Sequence, residues 1–324
     1  MKLTSTQAKV IALTQLNADL PIAQIRSKLG LRDHTIRYAL ERARSQGLVA
    51  QRYFVNLFRI GCLQHEIFFS LSSEKKGSRE SLLKKLIESD RISWIGRLGG
   101  EFHYGINVCS FQISDMLTLF DDLSEEYGRI FLEKNLSLRI GLTFFGNRYL
   151  APQLKHATPL SYRITSERVE IDHIDHLILS AITTQSSDSI HSLARSLGLP
   201  QTTVDYRVKK LRTNGVIVGS YYNFQPQKAG YLSFLCLIST KGISSSFRDK
   251  ALEFCHAHPE VVLMIESIGS WDFELAIDVR ESEHAMKLSE EILDFFGSII
   301  HWIKMIPLFG YPKIREYPFQ QAIR

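Results

Sequence analysis

Residues 29 to 50 read LGLRDHTIRYALERARSQGLVA, and residues 197 to 218 read LGLPQTTVDYRVKKLRTNGVIV. The two stretches align without a gap at an offset of 168, and seven of their 22 positions are identical. Unrelated sequences of average composition would share about one identity over that length. The 324-residue chain is therefore an internal repeat of one unit, each copy about half the chain long.

The likeness extends to the end of each copy. LTFFGNRYL at 142 to 150 resembles IPLFGYPKI at 306 to 314, and the intervening residues 151 to 168 contain two prolines without steady periodicity, which is typical of a linker. The sequence thus predicts five segments. They are a helix-turn-helix domain at 1–55, a ferredoxin-like domain at 56–150, a linker at 151–168, a second helix-turn-helix domain at 169–222 and a second ferredoxin-like domain at 223–324.

Each copy begins with three predicted helices. In the second copy Asp172 is a plausible N-cap for the first helix, Gly198 stops the second, and Gly215 closes the third. The third helix is apolar on one side. The short second helix, the turn that follows it and this third helix together form the helix-turn-helix pattern. After the third helix of each copy, a β-rich stretch leads to Tyr53 or Tyr221 and resembles the wing of a winged helix.

The outer side of each third helix carries residue types that reach base edges and phosphates. Basic charge is concentrated in the two blocks that contain these helices, because residues 1 to 60 carry +7 and residues 171 to 230 carry +2, which leaves −4 on the rest of the chain. This distribution suits a polyanion. The predicted DNA-binding residues are Arg32, His34, Thr35, Arg37, Tyr38, Arg42, Arg44, Gln201, Thr202, Thr203, Tyr206, Arg207, Lys210 and Arg212.

The remainder of each copy follows the order strand, helix, strand, strand, helix, strand. These elements are predicted between His65 and Phe144 in the first copy and between Tyr231 and Leu308 in the second. Such an order predicts a ferredoxin-like sandwich, with four antiparallel strands and two helices on one face. The fold class is α+β, and we expect the two sheets to pack on each other within one chain.

The second copy resembles the Lrp/AsnC family of transcription regulators. Ile171-Asp172-His173-Ile174-Asp175 is similar to the family's opening L-D-x-x-D, and Leu197-Gly198-Leu199 begins a segment similar to its recognition helix. Gly269-Ser270-Trp271-Asp272 resembles the G-x-aromatic-D turn of the family's effector-sensing RAM domain. The likeness covers nearly all of residues 171 to 317.

This resemblance implies two winged helix-turn-helix domains and two RAM domains arranged as an intrachain pseudo-dimer. It implies sequence-specific binding of double-stranded DNA, with recognition helices about one turn (~10 bp) or a multiple of it apart, and no enzymatic activity or cofactor. Since the two recognition helices differ, we expect unlike half-sites. Further assembly into homo-oligomers is left open.

A small-molecule effector such as an amino acid is also implied by the resemblance. Its expected contacts are Gly269, Ser270, Trp271 and Asp272, where an aromatic wall and a carboxylate would hold an ammonium group. The alternative is a structural turn in which Asp272 caps backbone amides.

The first copy departs from the family pattern at three places. Ala39 replaces the arginine represented by Arg207, Thr6 and Gln7 lie where the acidic pair is expected, and the turn reads Gly99-Gly100-Glu101-Phe102. Arg37 and Arg42 still place cations on the outer face of the third helix. DNA binding is therefore expected of both copies, and effector binding mainly of the second.

An enzyme is the leading alternative, since siroheme decarboxylases resemble a fused pair of such folds. A tetrapyrrole site would draw on His65, His103 and Arg97, although the segment Phe102-His103-Tyr104-Gly105 departs from the decarboxylase pattern. A protein-interaction module without DNA binding is a third reading. The Asp172 to His176 segment offers metal-ligand types but no compact set of three or four, so no metal site is predicted.

Composition excludes several other classes. No apolar run approaches the ~20 residues that span a bilayer, and the N-terminus lacks the pattern of a signal peptide, so a cytoplasmic protein is expected. Four cysteines stand far apart, which predicts reduced, buried thiols rather than a disulfide framework.

Overall fold

The computed structural model describes residues 3–71, 76–127, 131–184, 190–242 and 245–319. Its α-helices are α1 (Ser5–Thr14), α2 (Ile22–Leu29), α3 (Asp33–Ser45), α4 (Lys76–Glu88), α5 (Ile113–Tyr127), α6 (His173–Thr184), α7 (Ile190–Leu197), α8 (Gln201–Thr213), α9 (Ser245–Ala257) and α10 (Ser282–Phe296). Its strands are β1 (Val49–Val55), β2 (Leu63–Leu71), β3 (Ile92–Leu98), β4 (Tyr104–Ser110), β5 (Phe131–Phe144), β6 (Leu160–Arg163), β7 (Ile217–Phe224), β8 (Leu232–Thr240), β9 (Val261–Gly269), β10 (Phe273–Val279) and β11 (Ile300–Ile314).

Three helices form a head at the start of each copy, and we call α1–α3 the first head and α6–α8 the second. Both heads open with a reciprocal cap. Asp172 accepts the backbone N–H of Asp175 at 3.0 Å while Asp175 accepts that of Asp172 at 3.3 Å, which confirms Asp172 as the N-cap. In the turns before α3 and α8, Gly30 and Gly198 adopt φ of 65° and 64°, a conformation that disfavours any side chain.

The strand that leaves each head pairs with its counterpart from the other copy. β1 and β7 run antiparallel, with Val49 opposite Phe224 and Tyr53 opposite Ser220, so together they form a two-stranded ribbon. The strands expected to resemble wings therefore join the two heads to each other.

The other strands close into a barrel. Each copy has the ferredoxin-like strand order, β5-β2-β4-β3 in the first and β11-β8-β10-β9 in the second. Strand β11 pairs antiparallel with β3, and β5 pairs antiparallel with β9, so each sheet supplies both edges that the other needs. Closure removes the free edges that two separate sheets would expose. The predicted α+β fold and intrachain pseudo-dimer are confirmed.

Helices cover the outside of the barrel and side chains fill its inside. On β2, Ile67 and Phe69 point outward into the core beneath α4 and α5, whereas the alternate residues Glu66 and Phe68 point inward. Phe68 belongs to an apolar cluster that fills one end of the barrel interior with Trp271 and Leu237. The other end, beneath the ribbon, is polar and contains a cavity.

Each head packs on the other copy's half of the molecule. The core of the second head includes Val55, Leu57 and Cys62 from the first copy. The core of the first head includes Tyr222 and Phe224, together with Ala229 and Tyr231, from the second copy. The two copies are thus interlocked through heads, ribbon and barrel.

Some expected boundaries shift in the structure. The sequence predicts strands that start at Phe102 and Trp271, but β4 and β10 begin two residues later, at Tyr104 and Phe273, because the preceding residues form the turns. The segment 151–168, expected to be a linker, contains β6, which pairs with β5 and adds a strand to the barrel. No helix in the described ranges has the length and apolar character to cross a membrane.

Candidate nucleic-acid interface

The third helix of each head buries one side and exposes the other. Ile36 and Val204 are fully buried in the heads, whereas Tyr38 and Tyr206, at equivalent positions, are 62% and 65% exposed. A large aromatic side chain left in solvent at the middle of both helices is typical of a binding face. Two such faces, one on each head, form the candidate interface.

Most of the predicted DNA-binding residues lie on these faces. Thr35, Thr203 and Arg207 are half-buried, and the exposed ones are Arg32, His34, Arg37, Tyr38, Arg42, Arg44, Gln201, Thr202, Tyr206, Lys210 and Arg212. Among the described residues neither Arg37 nor Lys210 has a carboxylate within ion-pair distance. Their charges are therefore available to phosphates.

Arg207 is engaged inside the second head. One of its terminal nitrogens lies 2.5 Å from Asp172 Oδ2 and 3.2 Å from Asp175 Oδ2, and Asp175 is buried. Hydrogen bonds from the backbone N–H of Asp175 and from Arg207 hold the pKa of Asp172 below its ordinary value. Two carboxylates already bind its guanidinium, which favours a structural role for Arg207, and its contact with DNA stays a prediction.

The first head makes the same cap without charges. Gln7 donates its backbone N–H to Thr4 Oγ1 at 3.2 Å, and Gln7 Oε1 accepts the backbone N–H of Thr4 at 3.1 Å. Thr4, rather than Thr6 as expected, is therefore the counterpart of Asp172. Ala39, in the place of Arg207, is buried. The acidic pair and its arginine are absent together.

Two further predicted phosphate ligands reach across the pseudo-dimer. Arg44 donates to Tyr222 Oη at 2.7 Å, and Arg212 donates to Asp19 Oδ2 at 2.8 Å while lying over the ring of Tyr53. Both side chains stay on the surface, yet each one also ties its head to the ribbon or to the other head.

The Gly269 to Asp272 turn is occupied with internal contacts. Asp272 Oδ2 accepts the backbone N–H of Thr240 at 2.6 Å and its hydroxyl at 2.9 Å. Trp271 is buried against Phe68, with ring centroids 4.9 Å apart. None of the four turn residues lines the cavities described below. This geometry favours the structural alternative for the turn, and effector binding there stays a prediction.

A cavity of about 170 Å³ lies inside the polar end of the barrel. It is enclosed by inward residues of both sheets and by the ribbon, and its ionisable lining residues are Glu66, Arg139, Tyr162, Tyr221, Glu274, Asp278, Tyr311, Arg315 and Glu316. Burial raises the pKa of Asp278 to about 6, although Ser233, Tyr149 and Asn147 all donate hydrogen bonds to it.

Sequence reasoning missed this cavity. The available signal was polar residues at alternate positions of otherwise apolar strands, Gln64 and Glu66 in LQHEIFFSL and Glu274 and Asp278 in FELAIDV. Such spacing places them on one face, but only the closed barrel shows that this face is internal.

The residues considered for tetrapyrrole chemistry do not converge. His65 is buried on the outer side of β2 with its Nε2 3.0 Å from Ser110 Oγ, whereas His103 and Arg97 are exposed. The backbone N–H of Leu71 donates to His103 Nδ1 at 3.0 Å. None of the three lines the cavity.

Comparison with known proteins finds a matching domain family and similar transcription regulators. A model of the AsnC-type helix-turn-helix domain matches residues 171–212. The chain is 29% identical over 132 residues to the HTH-type transcriptional regulator FL11 of Pyrococcus horikoshii, covering 41% of this chain and 83% of that protein. It is 30% identical over 129 residues to the HTH-type transcriptional regulator PF1231 of Pyrococcus furiosus, covering 40% and 84%.

A solved structure shares the fold of the whole chain. The siroheme decarboxylase NirDL superposes with a TM-score of 0.60 at 9% sequence identity, covering 98% of this chain and 94% of that one. At such low identity the superposition establishes a common architecture and carries no activity across.

Proposed function

Because the chain belongs to the Lrp/AsnC family of transcription regulators, we propose that it binds double-stranded DNA through α3 and α8. The observation that carries this proposal is the pair of exposed helix faces, each bearing a solvent-exposed tyrosine and free cations. Their sequences differ, with Arg37 and His34 on one and Asp205 and Thr202 on the other, so each face would read its own half-site.

Selection of bound fragments from a random DNA library tests this proposal. The enriched sites should contain two unlike half-sites about one helical turn (~10 bp) or a multiple of it apart. Perfect inverted repeats would contradict the unlike half-sites, and no enrichment at all would contradict DNA binding.

Charge removal tests the assignment of the faces. Arg37→Ala and Lys210→Ala should each weaken binding and reduce the slope of log K against log salt by about one, since each removes one phosphate contact. Lys287→Ala is the matched control, because Lys287 is an exposed lysine on α10 of the barrel with 72% of its side chain in solvent. The assignment fails if all three variants behave alike in fluorescence anisotropy titrations.

DNA binding is further proposed to respond to a small-molecule effector, such as an amino acid or a related compound. The cavity supports this extension because its lining joins the barrel to the ribbon between the heads. A ligand alters DNA affinity only if it binds one arrangement of the heads better than another. Anisotropy titrations with and without the candidate compounds measure that coupling.

Siroheme decarboxylation is the competing candidate, because NirDL shares the whole fold. The cavity of about 170 Å³ is small beside the ~300–1,000 Å³ of common ligand pockets, and a tetrapyrrole exceeds a drug-sized ligand. Incubation with siroheme, followed by chromatography and absorption spectra, tests it. A decarboxylated product or a bound chromophore would establish the enzyme.

A further inference from the structure

The polar end of the barrel contains two buried carboxylates that lack full hydrogen bonding. Glu66 and Glu274 are 1% and 3% exposed, and Oε2 of each has no hydrogen-bond partner. Each carboxylate belongs to a different sheet, Glu66 to β2 and Glu274 to β10, and both line the same cavity. A buried ionised group without a partner is costly, so such an arrangement calls for a complementary ligand.

The nearby arginine does not satisfy both carboxylates. Arg139 donates to Gln64 Oε1 at 2.9 Å and to Glu66 Oε1, so its terminal nitrogens are engaged on the Glu66 side. Glu274 has no ion pair among the described contacts. Burial and the neighbouring Glu66 raise the pKa of Glu274 well above its ordinary value, and Arg139 offsets this only in part.

The lining as a whole favours a cation. Four carboxylic acids, Glu66, Glu274, Asp278 and Glu316, line the cavity against the two arginines Arg139 and Arg315. Beside them lie apolar side chains that would cover a short hydrocarbon body, namely Leu142, Phe144, Leu235, Val262 and Ile265. A cavity of 150 Å³ is known to hold benzene, so about 170 Å³ accommodates a ligand of similar or slightly larger size.

We propose that this cavity binds a small aliphatic primary amine, with the ammonium group held by Glu274 and Glu66 and the carbon chain against the apolar lining. This inference names the chemical class of the effector, and its regulatory part rests on the proposed function. The site differs from the Gly269 to Asp272 turn, which lines neither cavity.

The amine has an approach route. A second cleft, of about 330 Å³, shares Asn223, Tyr311, Ile314 and Arg315 with the lining of the cavity, so the two spaces adjoin. The cleft is otherwise lined by Arg52 of the ribbon, by Thr183 and Thr184 of the second head, and by Gln225, Pro312 and Lys313.

The same lining connects the ligand to the heads. Phe54 of β1 and Tyr221, Asn223 and Phe224 of β7 contribute to the cavity wall, as does Gln15 at the end of α1. A ligand that fills the cavity therefore contacts the ribbon, and the ribbon fixes the position of α3 relative to α8. We expect the amine to change DNA affinity through the ribbon.

Calorimetric titration of the full chain without DNA tests binding. The probe is n-pentylamine, and n-pentanol is the uncharged control of nearly the same shape. The amine should bind and the alcohol should not, and Glu274→Gln should weaken amine binding at least about tenfold, since it removes the charge that holds the ammonium. Absence of amine binding to the wild type, or equal binding to Glu274→Gln, overturns the proposal.

A second variant separates a lost site from a damaged fold. Ala276→Val adds two methyl groups to the cavity wall and leaves both carboxylates in place. It should also weaken amine binding, while Lys287→Ala on the outside of the barrel should bind like the wild type. Circular dichroism of each variant checks that it is folded, and undiminished binding to folded Ala276→Val excludes this cavity.

The pH dependence has a defined sign. The amine stays protonated below about pH 10. Burial and the neighbouring Glu66 raise the pKa of Glu274, so this carboxyl group loses its proton at a higher pH than an ordinary glutamate does. The charged and titratable groups that face it are Glu66 on β2, Arg139 on β5 and Tyr311 on β11. Affinity should therefore rise with pH, by up to about tenfold per unit while Glu274 titrates; affinity that falls with pH contradicts an ammonium–carboxylate contact.

The regulatory step is measured separately, by anisotropy titrations of the selected DNA with and without n-pentylamine. Amine binding without a change in DNA affinity would keep the site and reject its coupling to the heads. Amine binding by a chain that binds no DNA would reject the proposed function while keeping the site.

Discussion

Arg207 shows how one residue accounts for a difference between the two copies. In the second head it binds both carboxylates of the capping pair Asp172 and Asp175, and in the first head the neutral pair Thr4 and Gln7 needs no cation, so Ala39 suffices. The three positions form one unit of packing and charge. Substitutions within such a unit are not additive.

Arg207→Ala should lower the free energy of unfolding by about 1–3 kcal/mol, because Asp175 is then buried without its cation. Urea titration followed by circular dichroism measures this loss. The matched control is Lys209→Ala, which breaks the exposed ion pair with Asp205 and should cost less than about 0.5 kcal/mol.

The triple variant Asp172→Thr, Asp175→Gln, Arg207→Ala copies the set found in the first head. It should recover most of the stability that Arg207→Ala loses, since no buried charge remains and the cap is kept. A triple variant no more stable than the single one would show that Arg207 acts through contacts other than this pair.

At the scale of elements, the turn between β9 and β10 joins the two sheets. Gly269 has φ of 147°, and a Cβ there would lie 2.5 Å from the carbonyl oxygen of Leu136 on β5. Gly310 on β11 has φ of 153°, with no atom within 4 Å of the corresponding Cβ position. The two glycines thus share a strained conformation and differ in crowding.

Gly269→Ala should therefore destabilise the protein more than Gly310→Ala, by about 1–3 kcal/mol, because only the first variant forces β5 and β9 apart. Urea unfolding monitored by tryptophan fluorescence compares them. Equal losses in both variants would mean that β5 yields at Leu136 without cost and that backbone strain alone decides.

The elements themselves were largely predictable from sequence, and their partners were not. Periodicity predicts a helix at Ser282–Phe296, where the structure has α10, and Asp172 was predicted as the cap of α6; both signals are local. The pairing of β1 with β7 and of β5 with β9 depends on residues far apart in the chain. Leu160–Arg163 was expected to belong to a linker since four residues are too short for a reliable pattern.

The candidate site was likewise predictable from the sequence only in part. The exposed faces of α3 and α8 followed from helical spacing, but the engagement of Arg207 required the position of α6 beside α8. The cavity required closure of the barrel, because alternation places Glu66 and Glu274 on a face without saying what covers it.

For the molecule as a whole, interlocking of the copies predicts one cooperative unfolding transition. The core of each head contains residues of the other copy, and the barrel is closed by pairings between copies, so neither half retains a complete core alone. Calorimetry should give a ratio of calorimetric to van't Hoff enthalpy near one. Two resolved transitions, or a ratio near two, would show that the halves unfold independently.

The lack of symmetry inside the barrel has an evolutionary consequence. Counted from the first residue of each strand, Leu235 on β8 takes the place of Glu66 on β2, and Gly105 on β4 takes that of Glu274 on β10. In a dimer of identical chains a mutation at the interface appears twice, so a buried acid on one side brings a second that must also be accommodated. Fusion of the copies into one gene lets each mutation be tested once, so an acid acquired at a position of one copy need not be matched by a second acid at the equivalent position of the other.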